Sequence, residues 1–477
     1  MTLLDIASRV IDLVAAASPG TEAEVLAEGG ELALTRFANS FIHQNVADAT
    51  TSVRLRVHLD GRTAAGSASI AGVNSGPAHG FAPPAAVDDD ALGRLVARTV
   101  AAAHLAPRDP QWPGLTAAAP VDPVPPVDPY TAHADPDARA GRVRDFVLAA
   151  GGLETAGYCS TLSLSTAFAN SAGMSASSVT ALASMDAIAR SGKADGVARV
   201  ASSHISDVDG ARLGARAAAK ARSAVAPREL PPGRYEVVLE PTAVNDLLEN
   251  LAVYGFNGKS VNEGRSFVEV GAAQFDPSLS IVDDPFDPHG FGLAFDVEGT
   301  PKARRTFVDA GTTIAVAHDR RSGALAGVPS TGHARAGASS FGAIATNLHL
   351  QPTGGLHAGE EEVAGPVADA SVQALVSQVE RGLLISDFWY TRVLDPRTLV
   401  VTGLTRNGVW LIENGEITSP VQNFRFTQPY PQALAPGAVL GIGSHSVGIP
   451  SNQWDVLAYR APALRLASWN FTGNPSG

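Results

Sequence analysis

The sequence predicts an α+β fold, with N-terminal α/β subdomains followed by a strand-rich, antiparallel C-terminal domain. Three observations carry this. Amphipathic helical stretches alternate with strand-like runs up to the breaker Pro231-Pro232-Gly233. Beyond it, period-two runs punctuated by turn dipeptides outnumber helical ones. No repeat of fixed period runs through the chain, which argues against solenoid and propeller arrays. The chain accordingly divides into residues 1–120, 121–232 and 233–477.

Leu3 to Ala17 reads as an amphipathic helix. Asp5 and Asp12 interrupt its apolar pattern and no basic segment precedes it, unlike a secretory signal. The stretch from Glu24 to Ile70 reads as a β-meander. In its hairpin Val53, Leu55, Val57 and Leu59 share one face, Arg54, Arg56 and His58 the other, and Asp60-Gly61 supplies the turn. Asp88 to Leu105 is a helix with acids in its first turn, which suits the helix dipole. Two Pro-rich stretches, APRDPQWPGL and PVDPVPPVDPY, run extended as a linker or a strap over the surface. A helix spans Asp135 to Ala150. The Ser/Thr-rich run from Cys159 to Ala189 makes two or three strands, turning at Asn170 to Gly173. Asp207 to Ala226 is a basic helix.

The C-terminal domain opens on a strand, Arg234 to Pro241, rich in Val, Leu and Tyr. A helix follows, with Thr242 as N-cap and Asn245 three residues on. Leu247, Leu248, Leu251 and Tyr254 fall on one face of a 3.6-residue period, and Gly255 and Gly258 close the segment. Strands from Thr306 to His318 are joined at Ala310-Gly311. Ala345 to Gly355 is a further strand and turn, and Val367 to Val379 a short helix. A long antiparallel run from Gly382 to Phe426 turns at Asp395-Pro396, Asn407-Gly408 and Asn414-Gly415.

With 477 residues, 45% hydrophobic and 17% charged, the chain can bury more than one full core. No apolar run reaches the ~18 residues of a membrane span. A net charge of -12 disfavours nonspecific nucleic-acid binding, which needs basic surface. One cysteine, Cys159, excludes an intrachain disulfide and suits a cytoplasmic protein.

Several stretches together resemble the TldD/PmbA family of zinc-dependent peptidases and their inactive partner subunits. They are FIHQN with RLRVHLDGRTAAGSAS, then FANSAGMSASS, SIVDDPFDPHGFGLAFDVEGTPKARRTFVDAGTT, ATNLHLQPTGG and GVWLIENGEITSPVQNFRF. Their order and spacing fit, and they cover most of the chain. The resemblance implies a fold of that type. In the family's catalytic, TldD-type subunit the helix after the strand carries His-Glu-x-x-x-His. Two histidines hold zinc, the glutamate serves as general base, and a C-terminal cysteine completes the site. Here Glu249 and Tyr254 stand where the histidines would be, and Asn250 where the base would be. Cys159 lies in the wrong half. The chain therefore resembles the partner type, TldE or PmbA.

Other candidates have plainer readings. Glu249 beside Asn250 offers one carboxylate, thin for a hard cation. Asp283, Asp284, Asp287, Asp296 and Glu298 form an acidic group without the spacing of an EF-hand loop, and Asp-Pro pairs also start turns. None of His289, His318, His333, His349 and His357 pairs at helical spacing, although a turn could bring His349 and His357 together. Ser160, Ser163, Ser165 and Ser171 have no nucleophile elbow around them. No phosphate-binding glycine loop occurs. Arg392 and Arg406, near hairpin ends, could contact a peptide carboxylate as planar donors.

The expectation is a subunit with no catalytic residue, metal or cofactor of its own. It would form a heterodimer with a TldD-type subunit that carries the zinc, and would bind peptide or a peptide-like substrate, not nucleic acid or membrane. The alternatives are a stand-alone hydrolase with an unorthodox site and a ligand-binding homodimer.

Overall fold

A computed structural model describes residues 2–70, 89–354, 367–450 and 458–473. The first sheet has six strands: β1 (Glu22–Ala38), β2 (Phe41–Leu59), β3 (Arg62–Ile70), β4 (Glu154–Asn170), β5 (Ser175–Ser191) and β6 (Ala194–Ser202). Their order is β3-β2-β1-β4-β5-β6, and every neighbouring pair is antiparallel. Segments 1–120 and 121–232 thus supply three strands each to one sheet, joined where Glu24 to Phe37 pairs with Asn170 to Gly157. Asp60 and Gly61 both take positive φ, 50° and 71°, and turn β2 into β3 as the dipeptide predicts.

One face of this sheet is covered by helices. α1 (Leu3–Ala17) and α2 (Asp89–Leu105) lay Ile6, Val10, Leu95 and Val96 on Val25, Val53 and Leu55. Asp5 is no defect in α1, because with Thr2 it forms a capping box that satisfies two free amides. Farther along come α3 (Pro129–Ala132), α4 (Pro136–Ala149) and α5 (Gly210–Ser223). α4 and α5 pack closely because Gly210 and Gly214 rest on the backbone of Arg142 and Phe146, where no Cβ fits. α5 is shorter than its sequence suggests. Asp209 caps it by accepting from the Arg212 amide, which leaves Ile205–Asp207 as a separate 3-10 turn.

The Pro-rich stretch straps the first sheet to the C-terminal half. Trp112 stacks on His58 at 4.8 Å and donates to Glu22 at 2.7 Å. Thr116 donates to the Glu298 carbonyl at 2.7 Å. Beneath the strap Glu24 and Glu298 are held by Arg56 and Arg320, four charges that bridge the two halves.

The second sheet has eleven strands. They are β7 (Gly233–Leu239), β8 (Leu279–Asp283), β9 (Arg305–Asp309), β10 (Thr312–Thr313), β11 (Leu348–Pro352), β12 (Arg381–Asp395), β13 (Val400–Glu413), β14 (Glu416–Pro420), β15 (Arg425–Pro429), β16 (Val439–Pro450) and β17 (Ala458–Gly473). β7 pairs with both β12 and β17, so β7, β12, β13, β15 and β17 close into a ring. The domain is strand-rich as expected and mostly antiparallel, but β7–β12 and β11–β17 run parallel. The strand predicted to reach His318 stops at Thr313.

Asn407-Gly408 is not a hairpin turn. Val409 pairs with Ile385 and Arg406 with Asp387, so Asn407 and Gly408 together oppose Ser386 as a bulge inside β13. The positive φ of Asn407 (59°) and Gly408 (132°) serves the bulge instead of a reversal. Asn414-Gly415 does turn β13 into β14. Among the described residues no helix is long and apolar enough to cross a membrane.

Candidate functional site

The helix α6 (Pro241–Asn250) leaves the end of β7 and lies in the main core. Its N-cap is Glu240, not Thr242, because Pro241 takes the first helical position, where its missing N–H costs nothing. The Glu240 carboxylate makes no capping bond. It is drawn away by the ammonium of Lys220, by Arg216 at 2.8 Å and by the Ser386 hydroxyl at 2.7 Å. Burial works against this charge, but Lys220 and Arg216 outweigh it and keep the carboxyl below its ordinary value.

Leu247, Leu248 and Leu251 are fully buried, as their spacing predicts. Tyr254 is not on that face and stands 37% exposed. The cause is a change of helix type. Leu251–Gly255 form a π turn, in which the Phe256 amide reaches back five residues to the Leu251 carbonyl at 2.7 Å. On a continuous α-helix, positions 249 and 254 would point about 140° apart. The π turn breaks that α-type register between Glu249 and Tyr254, and such turns recur at functional sites.

The polar groups around Asn250 are tied to one another. Asn250 donates its amide to the Asp246 carbonyl at 2.8 Å and to the Asp246 carboxylate at 3.3 Å. Asp246 also accepts from Thr391 of β12 at 2.6 Å and from the Tyr430 hydroxyl. Burial pushes the Asp246 carboxyl up to about 6 against these bonds, and the charge of Asp387 adds to the rise. Burial, Asp246 and Glu249 hold the Tyr430 hydroxyl well above its usual value, so it stays a donor. Asp246, Thr391 and Tyr430 were not singled out by the sequence. Asp246 sits one helical turn before Asn250, a spacing that could have flagged it; Tyr430 carries no local signal.

Zinc does not fit this helix. Positions 249, 250 and 254 present one half-buried carboxylate, an amide engaged with Asp246 and an exposed phenol. Tetrahedral zinc sites use imidazole, thiolate and carboxylate. The one thiol, Cys159, is buried on β4 in the first sheet's core, where burial pushes it up to about 12. Among the described residues, one group of three histidine and carboxylate ligands comes within reach of a common ion. It is His204, Asp207 and His289, none of them on α6.

The other candidates disperse. Asp283 is buried and accepts from His333 at 3.1 Å and the Asn347 amide at 2.7 Å. Asp284 pairs with Arg304, and Asp287 with His349 and Arg460. Asp296 accepts the amides of Glu298, Thr300 and Ala334, shaping a turn. These acids pin loops and do not converge on one cation. His318 faces Ser322, and His357 lies outside the described residues. Ser160 bonds Ser184 across β4 and β5. Arg406 belongs to the bulge, not a hairpin end, and its guanidinium lies 4.1 Å from the Trp389 ring centre. Arg392 is exposed on β12, opposite Thr402. That stretch of β12 also leaves Trp389, Tyr390 and Leu394 exposed, by 42%, 65% and 61%.

The family model described as the PmbA/TldA metallopeptidase C-terminal domain matches residues 232–473. Solved structures share the fold of the whole chain. TldE from Thermococcus kodakarensis is 16% identical with a TM-score of 0.79, covering 99% of both chains. A candidate modulator of a DNA gyrase from Thermotoga maritima is 17% identical, TM-score 0.78, covering 99% of this chain and 100% of its own. A third, also described as a candidate modulator of DNA gyrase, from Bacteroides thetaiotaomicron, is 16% identical, TM-score 0.76, with 98% of both chains covered. No curated protein sequence matches.

Proposed function

The chain belongs to the PmbA/TldD metallopeptidase family, and from that premise we propose that it is the non-catalytic partner subunit of a TldD-type zinc peptidase. One observation carries this reading. On α6 and the π turn after it, the positions that would hold zinc and its base carry Glu249, Asn250 and Tyr254, and Asn250 is spent on Asp246. An amide has no proton affinity to act as a base near neutral pH. The likeness to a structure named TldE supports the same reading.

In this role the chain contributes surface and not chemistry. Trp389, Tyr390 and Leu394 give β12 an exposed apolar stretch, with the planar donor Arg392 among them and Arg406 stacked on Trp389. Such a stretch suits the zinc-bearing partner or an extended peptide laid along it. The substrates would be small or unfolded peptides, or a peptide-like metabolite, enclosed where folded chains cannot enter.

The test is reconstitution. The isolated chain should leave unstructured peptides intact, and a mixture with a TldD-type subunit should cleave them. Cleavage by the isolated chain that is lost in Glu249→Ala would overturn the reading. A stand-alone hydrolase has one observation in its favour, the Asp246 carboxyl raised to about 6 beside a hydroxyl donor. Under that reading Asp246→Asn would abolish activity of the isolated chain.

A further inference from the structure

We propose that His204, Asp207 and His289 form a binding site for a divalent transition-metal ion of the zinc class, at the seam between the two halves of the chain. His204 follows β6, and Asp207 ends the 3-10 turn beyond it. His289 comes from the loop after β8. One ligand atom from each residue lies within 4.8 Å of the other two. Nδ1 of His289 is 3.0 Å from Oδ2 of Asp207, and the two imidazole rings stand 5.2 Å apart, tilted by 48°. Around a tetrahedral zinc the ligand atoms sit about 3.3 Å apart, so the set must draw in by at most about 1.5 Å to hold an ion. Two imidazoles and one carboxylate are a donor set that zinc, cobalt and nickel accept, and magnesium and calcium do not favour.

The two loops that bring the ligands together are already fastened. The Ser203 amide donates to the His289 carbonyl at 3.2 Å, and the Ser203 hydroxyl to the Pro288 carbonyl at 2.6 Å. The His289 amide donates to Asp287 at 3.0 Å, and the Ser202 hydroxyl to Asp207 at 2.5 Å. Nδ1 of His204 lies 3.0 Å from the Ser203 hydroxyl, which orients that ring. These bonds hold the two loops side by side before any ion arrives. The His289 and Asp207 side chains are 49% and 38% exposed, so a water or an outside ligand can complete the coordination. The ion would clip the end of the first sheet to the C-terminal half. It belongs to the cohesion of this chain, not to peptide cleavage, and does not rest on the partner-subunit reading.

The experiment is a titration of the full, tag-free chain, stripped with chelator, using cobalt(II) alone. Visible d–d absorption reports coordination, and zinc competition reports the shared site. The wild type should bind one equivalent. His204→Ala and His289→Ala should each weaken binding roughly tenfold or more. Zinc should raise the thermal midpoint of the wild type and not of His289→Ala. His289→Gln, which keeps the loop's size and polarity, guards against misfolding and should lose cobalt while keeping its circular dichroism. No cobalt uptake by the folded wild type, or equal uptake by all the variants, would overturn the site.

Discussion

Asn250 donates its side-chain amide to the backbone carbonyl of Asp246, one turn back along α6. The position where the resemblance puts a catalytic base is thus occupied by a group that braces the helix. The carboxylate it braces is itself pinned from two sides, by Thr391 on β12 and by Tyr430 beyond β15.

The combined variant Glu249→His, Asn250→Glu, Tyr254→His should not become a peptidase. It restores two imidazoles but no thiolate ligand, and Glu at 250 would sit beside Asp246, adding a like charge where an amide now bonds. Zinc content and peptide cleavage check this, made in a His289→Ala background so that the seam site contributes no metal. Tight zinc with turnover would show that three positions alone separate this chain from the catalytic type.

Leu251→Ala should lower stability by about 2–5 kcal/mol, because Leu251 is fully buried in the main core. Tyr254→Ala, at a more exposed position three residues on, should change it by roughly 0.5 kcal/mol or less. Urea denaturation of the two variants measures the contrast. Equal losses would mean that the helix keeps α-type spacing through Tyr254 in solution.

Asp246 should make the wild type lose stability as pH rises. Burial raises its carboxyl to about 6 in the folded chain, above the ordinary aspartate value of 3.8. Between those values the folded state binds more protons than the unfolded one, so the sign is negative with increasing pH. The loss should be on the order of 1–3 kcal/mol between about pH 4 and pH 6.5. Asp246→Asn should be flat over that window relative to wild type, read from denaturation midpoints at both pH values.

Lys220→Met should be costly, about 3–5 kcal/mol, because it strips a buried partner from the Glu240 carboxylate. Adding Glu240→Leu should recover a substantial part of that loss. A double variant no better than the single one would mean that Arg216 and Ser386 already satisfy Glu240 alone. Chemical denaturation of the three proteins decides it.

Trp389→Ser with Tyr390→Ser should cost the isolated chain less than truncating a buried core residue, since Trp389 is 42% and Tyr390 65% exposed. Under the proposed function it should weaken association with a TldD-type subunit at least tenfold, measured by calorimetry. Unchanged affinity would move the interface away from β12.

Much of this architecture was legible because its signals are local. The leucines of α6 repeat at helical spacing, and Asp60-Gly61 sits between two alternating runs. What escaped was set by distant contacts. Asn407-Gly408 advertises positive φ, but whether the chain reverses there depends on what pairs beyond it. Gly403 and Leu404 are taken up by β15, and Asn407 by Asp387, so the strand runs straight through. The π turn has no compositional mark either; Gly255 within it lies against the ring of Phe267, where an added Cβ would approach to 3.1 Å. Asp246 and Tyr430 meet across 184 residues of sequence, beyond any periodic pattern.

The ring of β7, β12, β13, β15 and β17 also imposes an order on synthesis. β7 is the first strand of the C-terminal half to leave the ribosome, and its partner β17 the last. Until β17 emerges, β7 keeps an open edge, and Trp469, which stacks on Phe388 at 5.0 Å, is missing from the core. The first sheet has all six of its strands by Ser202 and can close early. The first sheet's strands can therefore pair while the rear half still waits for β17, but Leu26 and Phe168 stay uncovered until Ala294 and Phe295 arrive.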